Sequence, residues 1–246
     1  MYLRRVVIHS ENPNIKQLSP LVTGSLSKAM SALSKGNNSY RASPLEIYAQ
    51  DVFSRVSEID NAFKNMRITI EYLRKTSYNN SGYNFSEHHA FHIENFLLRL
   101  TSVVDRSYLL AGSTMLMENE KIEKMGGNGK VTKKLVNFSP TSNTILKTME
   151  ETIEHLRLPR NKVAHQAGFS SKNLCVLQII ENAKGESISV KQITDIMTYD
   201  EIKNVVIEES IEQYENVLPL IDNLVKELID SLSFVYTGLL KNHTSS

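Results

Sequence analysis

Apolar residues recur at alternating steps of four and three along the chain, and this spacing limits the fold more than any other feature. Between Leu45 and Ser77 it joins seven positions: Val52, Val56, Ile59, Phe63, Met66, Ile70 and Leu73. Because an α-helix turns once every 3.6 residues, such positions form one apolar stripe along a helix. Ser43 and Pro44 provide a predicted cap and first helical residue, with Glu46 in the first turn.

Three further stretches predict helices from the same spacing. A second helix opens at Ser86 and Glu87, and its inward positions are Ile93, Phe96, Leu97, Leu100, Val103, Val104, Ser107, Leu110 and Ala111. A third begins near Ser142 with Ile145, Met149, Ile153 and Leu156 inward. It is expected to stop before Pro159, whose ring clashes with the carbonyl four residues earlier. The last and longest carries Tyr214, Leu218, Ile221, Val225, Leu228, Leu232, Val235 and Leu239.

Long apolar stripes with few turn-forming residues between them indicate an all-α protein. Only 10 glycines and 6 prolines occur in 246 residues, so few, long elements are expected. We predict an antiparallel helical bundle of four to five main helices over residues 43–246. Residues 1–42 are read as a weakly structured N-terminal extension with a short helix near 21–33. Residues 174–193 contain two β-prone runs around Asn182–Glu186 and are compatible with a small β-hairpin insertion.

The overall charge and the cysteine content exclude several classes of protein. The net charge is +1, so contact with nucleic acid requires a local basic patch. The single cysteine, Cys175, excludes a disulfide framework and a cysteine-based zinc site, and it suits a reducing compartment. We expect Cys175 to be a small core residue.

No apolar stretch reaches membrane-spanning length, and the N-terminal apolar run is too short for a signal peptide. We therefore predict a soluble cytoplasmic protein that does not bind membranes.

The segment Leu158–Gly168 (LPRNKVAHQAG) places Arg160, Asn161 and His165 close together after a proline. With Pro159 as the first residue of a new helix, Asn161 and His165 lie about 40° apart on one face. An imidazole can transfer a proton near neutral pH, and a guanidinium can hold a phosphate. The N–H groups of a helix start also favour an anion. The alternative is an ordinary polar helix start whose side chains cap neighbours or face solvent.

A helical bundle that carries Arg-Asn-x-x-x-His on a late helix resembles the HEPN superfamily. That motif is an arginine, usually followed by Asn, Asp or His, with a histidine four to six residues after the arginine. The segment from Arg160 to His165 (RNKVAH) fits it, with the small Ala164 before the histidine. The similarity covers the chain from about Glu46 to Leu240, although only the motif is specific. The long second helix adds a weaker similarity to bacterial members with extended helices.

The resemblance implies a metal-independent endoribonuclease in which two subunits share one cleft. His165 would be the general base or acid for attack of a ribose 2′-hydroxyl on its own phosphate, Arg160 would stabilise the transition state, and Asn161 would orient the phosphate or imidazole. RNA would be the substrate and no cofactor or metal would be required. A role in stress response or phage defence, with an antitoxin partner, is implied too. In some family toxins a tyrosine two residues after the histidine is modified by the partner, and here that position is Ala167.

Two other classes of function remain open from the sequence. The first is a non-catalytic HEPN-like module that binds a nucleotide or a protein partner in the same cleft. The second is a purely structural helical adaptor.

Several residues outside the motif are candidates for supporting roles. Residues Lys121–Lys134 hold five lysines and one glutamate and are read as a flexible basic loop. Four lysines are predicted to contact RNA phosphates: Lys130, Lys133, Lys134 and Lys162. Glu94 and Arg99 on the second helix are predicted to support the motif. A cluster of histidines, His88, His89 and His92, is read as a solvent-facing helix start because no third metal ligand accompanies it.

Overall fold

The computed structural model describes residues 8–37, 39–165, 168–183 and 188–244, apart from the side chains of residues 158, 162, 164, 165, 189 and 242–244. Within these ranges the chain is helical and contains no strand. A 3-10 turn at His9–Glu11 precedes helices α1 (Pro13–Lys16), α2 (Ser19–Ser34), α3 (Pro44–Leu73), α4 (Phe85–Thr114), α5 (Asn119–Ile122), α6 (Gly127–Phe138), α7 (Pro140–Thr152), α8 (Glu154–His165), α9 (Lys172–Asn182), α10 (Ile188–Thr194), α11 (Tyr199–Ser231) and α12 (Ser233–Thr244). The prediction of an all-α fold is confirmed.

Helix α3 begins and buries its apolar stripe as predicted. The backbone N–H of Glu46 donates to Ser43 Oγ at 3.3 Å, and the Glu46 carboxylate accepts from the Ser43 N–H at 2.7 Å. This reciprocal pair is a capping box, which satisfies amide groups that the first turn leaves unpaired. All seven stripe residues, from Val52 to Leu73, are buried.

Helices α4 and α7 also bury the predicted positions. In α4 the Glu87 carboxylate accepts from the Asn84 N–H at 2.7 Å, which caps the helix start. Each of the nine inward positions from Ile93 to Ala111 is buried. In α7 the inward residues Ile145 and Met149 are buried, as are Ile153 and Leu156 beyond its end.

The predicted β-hairpin at 174–193 is wrong, because α9 and α10 occupy the described part of that stretch. Ser171 caps α9, since its side chain accepts from the Leu174 N–H at 3.2 Å. Leu174 and Leu177 are three residues apart, a helical spacing, and both are buried in a cluster with Phe85, Ile202 and Val206. Cys175 lies one residue beyond Leu174 and is exposed, so the prediction that it is a core residue is also wrong.

The helix break near the Arg-Asn-x-x-x-His motif lies earlier than predicted. The interruption falls at Ile153, and α8 continues through Pro159 to His165. A proline inside a helix removes one N–H, so the carbonyl of His155 loses its usual partner four residues on. The motif therefore occupies the second half of α8 and not its first turn.

The predicted count of four to five main helices in the bundle is not supported. The last predicted helix is divided at Leu232 into α11 and α12. This division changes the phase of the apolar stripe, so that Tyr236 is buried while Val235 and Leu239 are only partly buried. The stretch read as a flexible basic loop is also ordered, because it contains α6 with Val131 and Leu135 fully buried.

The described N-terminal segment contributes to a core as well as forming short helices. Ile15 and Leu18 are fully buried, and the backbone N–H of His9 donates to Asp60 at 2.7 Å. Helix α2 covers the short helix expected near 21–33. The domain boundary at residue 42 stays a prediction.

Two compact units divide the chain, and their boundaries fall inside long helices. Unit 1 contains residues 1–62, 102–151 and 221–246, and unit 2 contains residues 63–101 and 152–220. The motif belongs to unit 2. No helix in the described ranges combines the length and the apolar character needed to cross a membrane.

Candidate functional site

The first two residues of the motif form a polar pair on α8. The Arg160 guanidinium donates from Nη1 to Asn161 Oδ1 at 3.1 Å. Asn161 is exposed and Arg160 is partly buried. The Nε atom of Arg160 is shielded from solvent and has no hydrogen-bond partner among the described residues. The pair thus presents a positively charged, donor-rich group beside an exposed amide.

His165 is the last residue of α8. Its side chain, like that of Lys162, lies outside the described residues. Along a helix, residues four apart differ in direction by about 40°, so the backbone positions of Asn161 and His165 face the same side. The proposed grouping of Arg160, Asn161, Lys162 and His165 around one substrate stays a prediction.

The chain that leaves α8 is fixed to α4 by Glu94. The backbone N–H of Phe169 donates to Glu94 Oε1 at 2.6 Å. Gly168 has φ of +79°, and a Cβ atom there would lie 2.7 Å from the same carboxylate oxygen. Glycine is therefore required at 168 on two grounds, because the backbone is left-handed and the carboxylate approaches closely. The sequence did not single out Gly168, although it lies three residues after His165. Glu94 is one of the two residues predicted to support the motif, and that role stays a prediction.

The other predicted supporting residues have different surroundings. Arg99 Nε donates to Asn95 Oδ1 at 3.4 Å, and Asn95 in turn donates to Thr69 Oγ1 at 3.2 Å. The hydrogen bond of Arg99 therefore runs along α4, and Asn95 connects α4 to α3. The three lysines predicted on the basic stretch, Lys130, Lys133 and Lys134, are exposed on α6 in unit 1. The Lys134 ammonium donates to the carbonyl of Met115 at 2.9 Å.

The histidines of α4 are not a solvent-facing helix start, which corrects the prediction. His89 and His92 are buried, and His89 Nε2 lies 3.1 Å from Ser210 Oγ. Desolvation lowers the pKa of His89 to about 4, so its imidazole is neutral at neutral pH. Aromatic rings cover both side chains, since His89 stacks on Phe85 and His92 stacks on Tyr72. Within the described ranges no three His, Cys, Asp or Glu side chains are grouped as metal ligands.

Comparison with known proteins connects this chain to one family. The sequence model of the HEPN_Cthe2314-like HEPN family matches residues 33–231. No curated protein and no solved structure matches the chain significantly. The matched region is 199 of the 246 residues and includes α3, α4, the motif on α8 and all of α11. The chain belongs to the HEPN superfamily, as a member of the HEPN_Cthe2314-like family.

Proposed function

We propose that this protein is a metal-independent endoribonuclease that acts as a homodimer, with Arg160, Asn161 and His165 as its catalytic residues. The observation that carries the proposal is the complete Arg-Asn-x-x-x-His motif on one helix of a HEPN chain. The hydrogen-bonded pair of Arg160 and Asn161 supports it, because the pair is exposed enough to meet a substrate.

In the proposed reaction the nucleophile is a 2′-hydroxyl group of the RNA itself. His165 accepts the proton of a ribose 2′-hydroxyl as that oxygen attacks the adjacent phosphorus. The bond from phosphorus to the 5′-oxygen breaks, water gives that oxygen a proton, and the products are a 2′,3′-cyclic phosphate and a 5′-hydroxyl. His165 then releases its proton to the resulting hydroxide, so the net change consumes no proton. Arg160 stabilises the negative charge that accumulates on the phosphate oxygens, and Asn161 orients the phosphate through its amide. The guanidinium must supply this stabilisation, because the motif stands in the second half of α8, away from the amides of the helix start.

The test is cleavage of mixed-sequence RNA in the presence of EDTA. We expect Arg160→Ala and His165→Ala each to lower the rate by at least about a hundredfold, the usual contribution of a general base or an electrostatic group. Two matched controls lie on the same helix. Arg157→Ala removes an arginine that pairs with Glu154 at 3.1 Å, and His155→Ala removes an exposed histidine. Both controls should cleave at the wild-type rate.

Two outcomes would contradict the catalytic assignment. If the Arg160 and His165 variants cut RNA as fast as the wild type, the motif is not catalytic. If the wild-type protein does not cut RNA but binds nucleotides tightly, and Arg160→Ala abolishes that binding, the chain is the non-catalytic binding module.

A role in stress response or phage defence, with an antitoxin partner, belongs to the same proposal. Toxicity on expression that disappears in His165→Ala would support that role.

A further inference from the structure

We infer that a ladder of aromatic rings between the end of α3 and the first turns of α4 is a platform on which bases of single-stranded RNA stack. We call it the aromatic platform, and its rings are Tyr72, Tyr78, Tyr83, His88, Phe91 and His92. All six belong to unit 2. The inference rests on the proposed function, since it names the form of RNA that the protein would bind.

Four of the rings are stacked nearly parallel. Tyr78 stacks on His88 with ring centroids 4.1 Å apart, and the centroid of His92 is 5.9 Å from that of Tyr78 and 6.5 Å from that of His88. The next ring is Tyr72, whose centroid is 4.9 Å from that of His92. The planes of neighbouring rings in this series differ by 13°, 22° and 26°. Hydrogen bonds from Tyr78 to the carbonyl of Tyr72 at 2.9 Å and between Ser81 Oγ and His88 Nε2 at 2.6 Å fix the ladder.

Two further rings stand edge-on to the ladder and are open to solvent. Tyr83 contacts His88 at a centroid distance of 6.2 Å, and Phe91 contacts His92 at 5.3 Å. Tyr83 is 70% exposed and Phe91 is 62% exposed. Large aromatic side chains held in one orientation by their neighbours lose little conformational entropy on binding, which favours their use in recognition.

The chemistry around the rings indicates nucleic acid as the occupant. Between Glu71 and Glu87 the sequence contains no carboxylate, whereas Arg74 and Lys75 supply two positive charges. The Lys75 ammonium lies 3.9 Å from the centroid of Tyr72, where it could neutralise a phosphate next to a stacked base. Arg74 is paired with the Glu215 carboxylate at 2.5 Å, so Lys75 is the cation that the platform would offer to a phosphate. Exposed aromatic rings beside a cation are the combination with which proteins bind single strands, whose bases are free to stack.

Exposed amides and hydroxyls complete the surface. The loop from Thr76 to Asn84 contributes Asn79, Asn80 and Ser81, all exposed. Amide groups of this kind can hydrogen-bond to base edges that are unpaired in a single strand but occupied in a duplex. The platform is therefore expected to prefer single-stranded RNA to a duplex.

The test measures binding of a fluorescein-labelled 2′-O-methyl single strand, whose blocked hydroxyl prevents cleavage. We expect Tyr83→Ala/Phe91→Ala to weaken binding about tenfold or more, as loss of a stacked base would. The conservative exchange Tyr83→Phe/Phe91→Tyr should keep wild-type affinity. The matched control is Phe138→Ala/Phe234→Ala, which removes two exposed rings from unit 1 and should not change the affinity. A duplex of the same sequence should bind the wild type more weakly than the single strand.

Several results would overturn the platform. The first is that the wild type does not bind the single strand. The second is that Tyr83→Ala/Phe91→Ala binds the single strand as tightly as the wild type. The third is that the wild type binds the single strand and the duplex with equal affinity. Dissociation of a wild-type dimer by this substitution, measured by sedimentation, would instead make the surface a protein interface. The proposed ribonuclease is tested separately, by cleavage of ordinary RNA in EDTA. If the wild type binds the single strand but does not cleave RNA, the platform stands and the proposed ribonuclease is wrong. If the wild type cleaves RNA but Tyr83→Ala/Phe91→Ala binds as tightly as the wild type, the ribonuclease stands and the platform is wrong.

Discussion

His89 illustrates how a polar residue can be stable inside a helical protein at neutral pH. Its imidazole is fully buried, stacks on Phe85 at a centroid distance of 5.2 Å and lies 3.1 Å from Ser210 Oγ. One hydrogen bond does not replace the solvation that a charged imidazole has in water. Burial therefore favours the neutral form and lowers its pKa to about 4.

The buried imidazole makes the stability of the fold depend on pH. In the unfolded chain the histidine has a pKa of about 6.5 and binds a proton below that pH. In the native state His89 stays neutral until the pH approaches 4. The free energy of unfolding should therefore fall as the pH drops through this interval, by about 3 kcal/mol for His89 alone. Urea unfolding of the wild type and His89→Gln across this range measures the difference. An identical pH dependence of both proteins would contradict the prediction.

At the scale of elements, the contact between α4 and the end of α8 connects the motif to the rest of unit 2. Glu94 accepts the Phe169 N–H at 2.6 Å, only four residues after His165. A charge-assisted hydrogen bond of this kind contributes about 1.5–3 kcal/mol. We propose that Glu94 positions the end of the motif and does not itself take part in the reaction.

Exchanges at Glu94 and Gly168 test this positioning role. Glu94→Ala and Gly168→Ala should each lower RNA cleavage about tenfold or more, because the segment after His165 loses its anchor or its left-handed turn. Glu94→Gln keeps an oxygen acceptor and should retain most of the activity. Cleavage rates and thermal unfolding of the same samples separate loss of positioning from loss of folding. If Glu94→Gln is as inactive as Glu94→Ala, the negative charge itself is needed and the positioning role is wrong.

The elements also indicate which local rules the sequence obeys and which it does not. The capping box at Ser43 and Glu46 and the stripe of α3 were readable, because capping and amphipathic spacing act within a few residues. The helix end expected before Pro159 was wrong, since a proline costs a helix about 3 kcal/mol, an amount that packing elsewhere can offset. Ile153 and Leu156 are both buried, as their spacing predicts, so the spacing of inward residues did not reveal that the break lies at Ile153.

For the whole molecule, the proposed dimer predicts that neither protomer is sufficient alone. The shared cleft would need one Arg160 and one His165. In a mixed dimer, the Arg160→Ala protomer supplies His165 and the His165→Ala protomer supplies Arg160. Mixing the two inactive variants after partial unfolding and refolding together should therefore restore part of the cleavage activity. Each variant refolded alone is the control. A mixture as inactive as its components would mean that each protomer contains a complete site or that no dimer forms.

The sequence by itself determined the helical class, the stripes that enter the core and the motif that identifies the family. These properties depend on the period of the helix and on residue chemistry, both of which are local. Only the tertiary structure decided that the described part of 174–193 is helical, that Cys175 is exposed and that His89 and His92 are buried. It also decided which backbone group after His165 bonds to Glu94. Each of these depends on apolar surface or hydrogen-bonding groups brought together from distant segments, and the free energy of such contacts is absent from any short stretch of sequence.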